Sequence, residues 1–300
     1  MAENKPQTFL LILAASFFML LIYVMNLSPK INRQRLANQE VEIILTGDIM
    51  LGRTVMTKSL DLKDPVYPFR KVVGELESAD IVFINLENPI VVNCPRTYEG
   101  LKFCTTPAMV EGLVFAGIDV VSLANNHTRN YGAEGLNQTI VVLNKNSIST
   151  TGLGNLATKE VKGTNFGFLG FDFLSQKPTE GNFNLVSKSK EQVDVLIVGV
   201  HWGAEYREEP AEIQKEWARK LVEFGADVVV GHGPHWVQGE EYINEKPVYY
   251  SLGNFIFDQM WSEETKRGLV MKLTFRGEEL IKEEKLPIYM SSWAQPEFVE

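Results

Sequence analysis

Residues 225–259 read GADVVVGHGPHWVQGEEYINEKPVYYSLGNFIFDQ, and the fold is decided by how this stretch is parsed. Ala226 to Val230 is a run of the kind that forms a buried strand; it breaks at Gly231 and delivers His232 and His235. Two short strands then flank an Asn244-Glu245 turn, with Pro247 entering the second, and the apolar segment within SLGNFIFDQ supplies one more. The chain has only four histidines. The other two, His127 and His201, also follow short apolar runs that read as strands. Histidine used so sparingly, and placed each time near a strand end, is the pattern of a metal site assembled across a sheet.

Outward from this stretch the chain repeats strand, loop and helix. Val41–Thr46, Ile81–Asn85, Ile118–Leu123 and Val193–Val200 read as strands. Phe69–Ser78, Pro107–Ala116, Gly132–Lys145 and Ile213–Phe224 read as helices, the last with Ile213, Trp217, Leu221 and Phe224 at helical spacing. Gly163–Phe173 reads as a strand pair or meander, and Lys266–Phe275 with Leu280–Pro287 as a closing hairpin around Arg276-Gly277. Strands alternating with helices, then strands joined by hairpins, predict a mixed α/β protein with its site at strand carboxyl ends. Composition excludes one class of partner. With 29 basic against 38 acidic residues the net charge is −9, the wrong sign for nucleic acid, and no Lys/Arg cluster interleaves with aromatics.

We divide the chain into a membrane anchor (1–27), a polar linker (28–40), a main α/β domain (41–276) and a C-terminal strand and tail (277–300). Thr8 to Leu27 carries no charge, and twenty helical residues span ~30 Å, the thickness of a hydrocarbon core. We read it as an uncleaved, single-pass signal-anchor rather than a core helix or a cleaved signal peptide, whose apolar region is shorter. Lys30, Arg33 and Arg35 after it favour a cytoplasmic domain. Cys94 and Cys104, the only cysteines, are either two separate thiols or a disulfide. The disulfide reading points to an oxidising compartment and so to a domain outside the cytoplasm, which is the orientation we expect.

The polar residues fall where the strands end: Asp48; Asn85 and Glu87; Asn125, Asn126 and His127; His201 with Glu205; His232 and His235; Asn254 and Asp258. Imidazole, carboxylate and amide oxygen are ligands of a divalent ion such as zinc, manganese or iron. A single histidine after a strand is more often a hydrogen-bonded structural residue. All four in such positions, beside Asp48 and Glu87, point to a metal or phosphate site.

These segments together, GDIMLGR (47–53), INLENP (84–89), SLANNHTRNYGAEGL (122–136), VGVHWGAEY (198–206), the histidine stretch and PVYYSLGNFIFDQ (247–259), resemble the bacterial poly-γ-glutamate capsule biosynthesis protein CapA family. The resemblance covers Val41 to Phe275. It implies a metallophosphatase-like (calcineurin-like phosphoesterase) layered sandwich, two mixed β-sheets flanked by helices. By that pattern Asp48, Glu87, Asn126, His201, His232 and His235 are metal ligands. His127, Asn126 and Arg53 face the substrate, while Asn85, Glu205, Asn254 and Asp258 support them. The chain departs from the pattern at Met50, where phosphoesterases carry a histidine, at Asn130, where the family has aspartate, and at Gly233, where it has histidine. The resemblance implies a membrane-anchored protein that synthesises or exports an anionic capsule polymer such as poly-γ-glutamate, working with other membrane subunits. Two activities follow from it: metal-dependent hydrolysis of a phosphoester or γ-glutamyl amide, or a metal site that grips the polymer without cleaving it. The alternative is an extracytoplasmic phosphoesterase or amide hydrolase acting on another substrate.

Overall fold

The computed structural model describes residues 38–299. The expected anchor at 8–27 lies outside the described residues, as does most of the linker. Among the described residues no helix is long and apolar enough to cross a membrane.

The chain opens with β1 (Glu40–Ile49), a helix over Arg53–Asp61, β2 (Ile81–Leu86), a helix over Val110–Phe115 and β3 (Val120–Ser122). The helix Gly132–Lys145 leads into β4 (Ser149–Thr151) and the hairpin β5 (Ala157–Val161) and β6 (Thr164–Asp172). The helix Glu180–Lys190, β7 (Val195–His201), the helix Glu212–Glu223 and β8 (Val228–His232) complete the alternating part. Then come β9 (Glu240–Ile243), β10 (Lys246–Tyr249), β11 (Asn254–Ile256), β12 (Arg267–Arg276), β13 (Glu279–Ser292) and β14 (Gln295–Phe298). Among the described residues these strands form two mixed sheets. The first runs β14-β13-β12-β1-β2-β3-β4, with β11 also paired to β1; the second runs β5-β6-β7-β8-β10-β9.

Alternation along the strands explains the layers. Val41, Ile43 and Leu45 of β1 face Phe168, Ile197 and Val230 of the second sheet in one buried core. The residues between them on the other face, such as Ile44, pack with Val55, Leu113 and Leu143 of the helices covering the first sheet. Val198 and Val229 pack likewise against Val186 and Leu221 outside the second. Each fully buried Leu or Phe contributes roughly 1.5–3 kcal/mol, so a strand apolar on both faces is stable only with a layer on each side. The result is helices, sheet, sheet, helices.

The stretch at 225–259 joins the two sheets. Asn244 and Glu245 both take positive φ (49° and 64°), the geometry of a two-residue hairpin turn, and return the chain from β9 to β10. The next segment, Tyr250–Gly253, crosses from the second sheet to the first. It passes so close that a Cβ on Gly231 would lie 2.0 Å from the Tyr250 carbonyl oxygen, and one on Gly47 would lie 2.2 Å from that of Gly253. The glycines before Asp48 and His232 are therefore required by a crossing backbone. The expected helix Phe69–Ser78 is broken into a 3-10 turn at Tyr67–Phe69 and one turn at Val73–Leu76. Adjacent β-branched Val72 and Val73 with Gly74 form a weak helix centre.

Candidate metal centre

Strand register lines up the polar residues. Asn254 of β11, Asp48 of β1 and Asn85 of β2 are cross-strand partners, and Ser122 of β3 continues the row. In the second sheet Asp172, His201 and His232 form the corresponding row. The two rows sit where the crossing segment draws the sheets together. Each sheet ends in a polar row because its strands run parallel there and change to loop at the same level.

Asp48 is fully buried at the centre. It accepts hydrogen bonds from Asn85 Nδ2 (2.9 Å), the Gly233 N–H (3.1 Å) and His235 Nδ1 (3.0 Å). His232 Nδ1 lies 3.2 Å from Asp48 Oδ1, yet neither nitrogen of this ring makes a hydrogen bond. Glu87 Oε1 is 3.8 Å from His127 Nε2 and 3.8 Å from His235 Nε2. Donor atoms of Asp48, Glu87 and His201 all lie within 4.8 Å of one another. Glu87 Oε2, His201 Nδ1, both His232 nitrogens and Asn254 Oδ1 are buried without a hydrogen-bond partner. Carboxylate and imidazole atoms left open around one point fit a divalent ion.

The electrostatics show the same unfinished balance. Burial pushes the Asp48 carboxyl upward, but His232 and His235 outweigh it and hold the group well below its ordinary value. Burial raises Glu87 well above the carboxylate range, and the Asp48 and Glu205 charges add to the rise. Burial lowers His201 to about 3, with His235 and His232 reinforcing it against Asp48. Burial also lowers His127 to about 4, helped by the neighbouring His201 and His235 imidazoles and the Arg53 guanidinium, whose positive charge disfavours a second one. His235 goes the other way: burial is overcome by Glu87 and Asp48, which raise it to about 9. Its backbone is left-handed (φ 60°), a conformation that concentrates at functional sites in residues other than glycine.

A strap closed by the Cys94–Cys104 disulfide covers one side of the centre. Phe103 from this strap stacks on His127 with ring centres 4.0 Å apart, and the Arg53 guanidinium lies 4.5 Å from the Phe103 ring centre. Arg53 binds both oxygens of Asp258 and donates to the Gly100 carbonyl (2.9 Å), so its charge is already matched. The resemblance made Arg53 a substrate anchor and Asp258 a supporting residue; the structure pairs them with each other. Asn130 Nδ2 lies 2.9 Å from His127 Nδ1 and donates to the Leu101 carbonyl (3.1 Å). With Nδ1 accepting from that amide, the neutral His127 ring carries its proton on Nε2, toward Glu87. A carboxylate at position 130 would favour the charged ring; the amide leaves it neutral.

The remaining expected residues divide. Asn126 is exposed and lines a neighbouring cavity of about 580 Å³, and the buried amide is Asn125. Asn125 donates to Asn85 Oδ1 (3.0 Å) and to the Leu86 carbonyl (2.9 Å), which locks β2 to the loop after β3. Between two adjacent asparagines in a loop, sequence alone offered no signal. Glu205 is exposed at the rim of a cavity of about 270 Å³ and, among the described residues, makes no hydrogen bond to a histidine, so it does not orient one. Asn254 donates to Gln259 Oε1 and the Thr265 carbonyl, both at 3.0 Å, and leaves its buried oxygen without a partner beside Asp48 in the strand row. Met50 is buried among apolar residues of the helix layer, with its sulfur accepting from the Gly52 N–H (3.0 Å), and is no ligand. A Cβ at Gly233 would meet His201 Nε2 at 3.1 Å, so a larger side chain has no room there.

Two mixed β-sheets flanked by helices, meeting at buried carboxylates and imidazoles, define the class: an α/β layered sandwich with a candidate metal centre at its seam. Residues 42–259 match the family model described as bacterial capsule synthesis protein PGA_cap, and the chain belongs to that family. It is 30% identical over 262 residues to the capsule biosynthesis protein CapA of Bacillus anthracis, covering 78% of this chain and 64% of that protein. It is 31% identical over 248 residues to the PGA biosynthesis protein CapA of Bacillus subtilis (strain 168), covering 75% and 65%. The chain thus spans just under two thirds of the length of these relatives. A solved structure of a hypothetical protein from Thermus thermophilus shares the fold, with a TM-score of 0.56 at 14% identity over 82% of this chain and 98% of that one.

Proposed function

We propose that this chain handles an anionic capsule polymer, such as poly-γ-glutamate, at a divalent metal centre of metallophosphoesterase type. The observation that carries the reading is the convergence of Asp48, Glu87 and His201 donor atoms within 4.8 Å, surrounded by buried polar atoms that have no partner. These three residues would hold the ion, with His232 and His235 beside it. When bound, such an ion polarises a carboxylate, phosphoester or amide oxygen and acidifies a water. The protein's own groups orient what meets it. His127 Nε2–H donates to an oxygen of the polymer, and its neutral ring is a hydrogen-bond donor rather than a proton source at neutral pH. Because Arg53 is matched by Asp258, negative charge on the polymer is met by the ion.

In this reading residues 8–27 anchor the domain at the outer face of the cell membrane, beside other membrane subunits of a capsule assembly system. The Cys94–Cys104 disulfide supports that compartment. The test is elemental analysis of the purified full chain after exposure to Mn, Zn or Fe, together with metal-dependent retention of poly-γ-glutamate. Asp48→Asn and His201→Ala should each lose most of the metal and the retention. A wild-type chain that carries no metal under any of these conditions would sink the proposal.

A further inference from the structure

The 270 Å³ cavity is lined by Tyr98, Tyr206, Trp261 and Trp293 together with the carboxylates Glu99 and Glu205. Tyr98, Trp261 and Trp293 are 68%, 60% and 45% exposed, and among the described residues these are the two exposed tryptophans. Indole faces left in water around a single concave mouth mark a binding surface. Tyr206 is the hinge of the wall: its ring lies 4.8 Å from Trp261, edge to face, and 6.0 Å from His235, so the aromatic surface runs from the rim to the metal centre. Gln259 Nε2 fixes it by donating to the Tyr206 hydroxyl (3.1 Å).

We infer that this mouth is a binding subsite for the neutral sugar rings of a glycan, which stack their C–H faces on Trp261 and Trp293 and donate their hydroxyls to Glu99 and Glu205. The chemistry selects this ligand over three others. At the outer part of the cavity Glu99 and Glu205 disfavour a polyanion, and Arg53 beside them is already paired with Asp258, so an anionic polymer gains its contacts deeper, at the metal centre. An anionic lipid surface is repelled likewise and cannot enter a concave mouth. An onium ion gains most from rings that enclose it, whereas the indoles here stand open to solvent. A pyranose has the complementary make-up, one flat apolar face and an equatorial belt of donors that carboxylates accept. The subsite is separate from the metal reading, since none of its four aromatic residues is a candidate ligand. If both hold, the chain brings a glycan and a capsule polymer to adjacent positions.

The test is isothermal titration of the full chain with chitotriose, a neutral N-acetylglucosamine trimer, and in parallel with choline and a γ-linked glutamate oligomer. Chitotriose should bind in the millimolar range. Trp261→Ala and Trp293→Ala should each weaken it by about tenfold or more, the loss of one aromatic stacking face, while Trp261→Phe keeps most of the affinity. Chelator treatment and His201→Ala should leave chitotriose binding unchanged, which separates failure of this inference from failure of the metal site. The inference is overturned if chitotriose gives no binding up to roughly 20 mM. It is also overturned if binding survives in both alanine variants with unchanged circular dichroism. Choline, or the glutamate oligomer, proving to be the ligand that the tryptophan variants lose would overturn it as well.

Discussion

Gly233→Ala is the sharpest perturbation of the centre, because the smallest possible side chain lands on a candidate ligand. Gly233 has φ 105°, and a Cβ there would sit 3.0 Å from the Trp202 carbonyl oxygen, 3.1 Å from His201 Nε2 and 3.2 Å from His201 Cε1. Its N–H also donates to Asp48 Oδ2 at 3.1 Å, so the residue cannot swing away without giving up that bond. Holding alanine at positive φ costs about 1–3 kcal/mol. Pressing a methyl group into a filled site costs about 1–3 kcal/mol more. The sum, roughly 2–6 kcal/mol, corresponds to a melting temperature lower by about 4–24 °C in a domain of this size.

Relief would come from pushing the His201 ring away, and that moves a candidate ligand nitrogen. Metal affinity should then fall by about tenfold or more, as it does when support of a ligand is disturbed. Thermal unfolding by circular dichroism and competition with a fluorescent chelator measure the two effects on one preparation. Gly239→Ala is the internal control: nothing lies within 4 Å of its would-be Cβ, and the change should stay within about 0.5 kcal/mol. A Gly233→Ala chain that melts within about 2 °C of the parent and binds metal equally well would refute the reasoning.

Replacing Cys94 and Cys104 together by serine should lower stability by roughly 2–3 kcal/mol from loop entropy, seen as a drop in urea midpoint; equal midpoints would show that the strap contributes nothing. Asp258→Ala leaves the Arg53 guanidinium, whose side chain is only 12% exposed, without its partner, and should cost about 3–5 kcal/mol in chemical denaturation, with Asp258→Asn milder. The metal-free chain should be most stable near pH 6.5. Burial holds His127 at about 4 and His201 at about 3, below the ordinary 6.5, so the unfolded chain binds more protons and stability falls as pH drops below 6.5. His235, buried yet held at about 9 by Glu87 and Asp48, contributes stability that is complete below 6.5 and lost as pH rises through 9. A denaturation profile in chelator that still climbs between about pH 7 and 9 would contradict these signs.

What could be read before the structure follows from range. The strands that carry Asp48, His201 and His232, and the one that ends just before Glu87, are short β-rich runs legible locally, although β1 and β8 continue through Gly47 and Gly231 instead of breaking there. Helices lacking a strong apolar stripe were not visible: Arg53–Asp61 reads RTVMTKSLD, and Glu180–Lys190 buries only Phe183, Val186 and Ser189. The polar strand β4, Ser149–Thr151, is held by pairing with β3 and not by its own composition. Pairing over distance was equally hidden. Nothing near Arg53 shows that its charge is taken by a residue 205 positions away. Choosing between Asn125 and Asn126 needs the turn after β3, in which one residue's rotation decides which amide is buried.

The centre draws its residues from both sheets, and that division has an energetic meaning. Asp48 and Glu87 come from the first sheet, His201 and His232 from the second, and the crossing segment holds the seam between them. A buried polar atom without a partner costs about 1–3 kcal/mol, and Glu87, His201, His232 and Asn254 together leave several such atoms at this one place. Apart from these, Thr57, Thr164 and Ser189 each leave a single hydroxyl, on three different elements, and Trp236 leaves its indole N–H, so general poor packing does not account for the cluster. A cation with several open coordination positions would satisfy carboxylate oxygen, imidazole nitrogen and amide oxygen at once, which no single hydrogen-bonding group can do. It would also fasten one sheet to the other. Stripping the metal should therefore loosen the sheet-to-sheet seam first, with amide exchange rising in Tyr250–Gly253 and the ends of β1 and β8 before it rises in the cores.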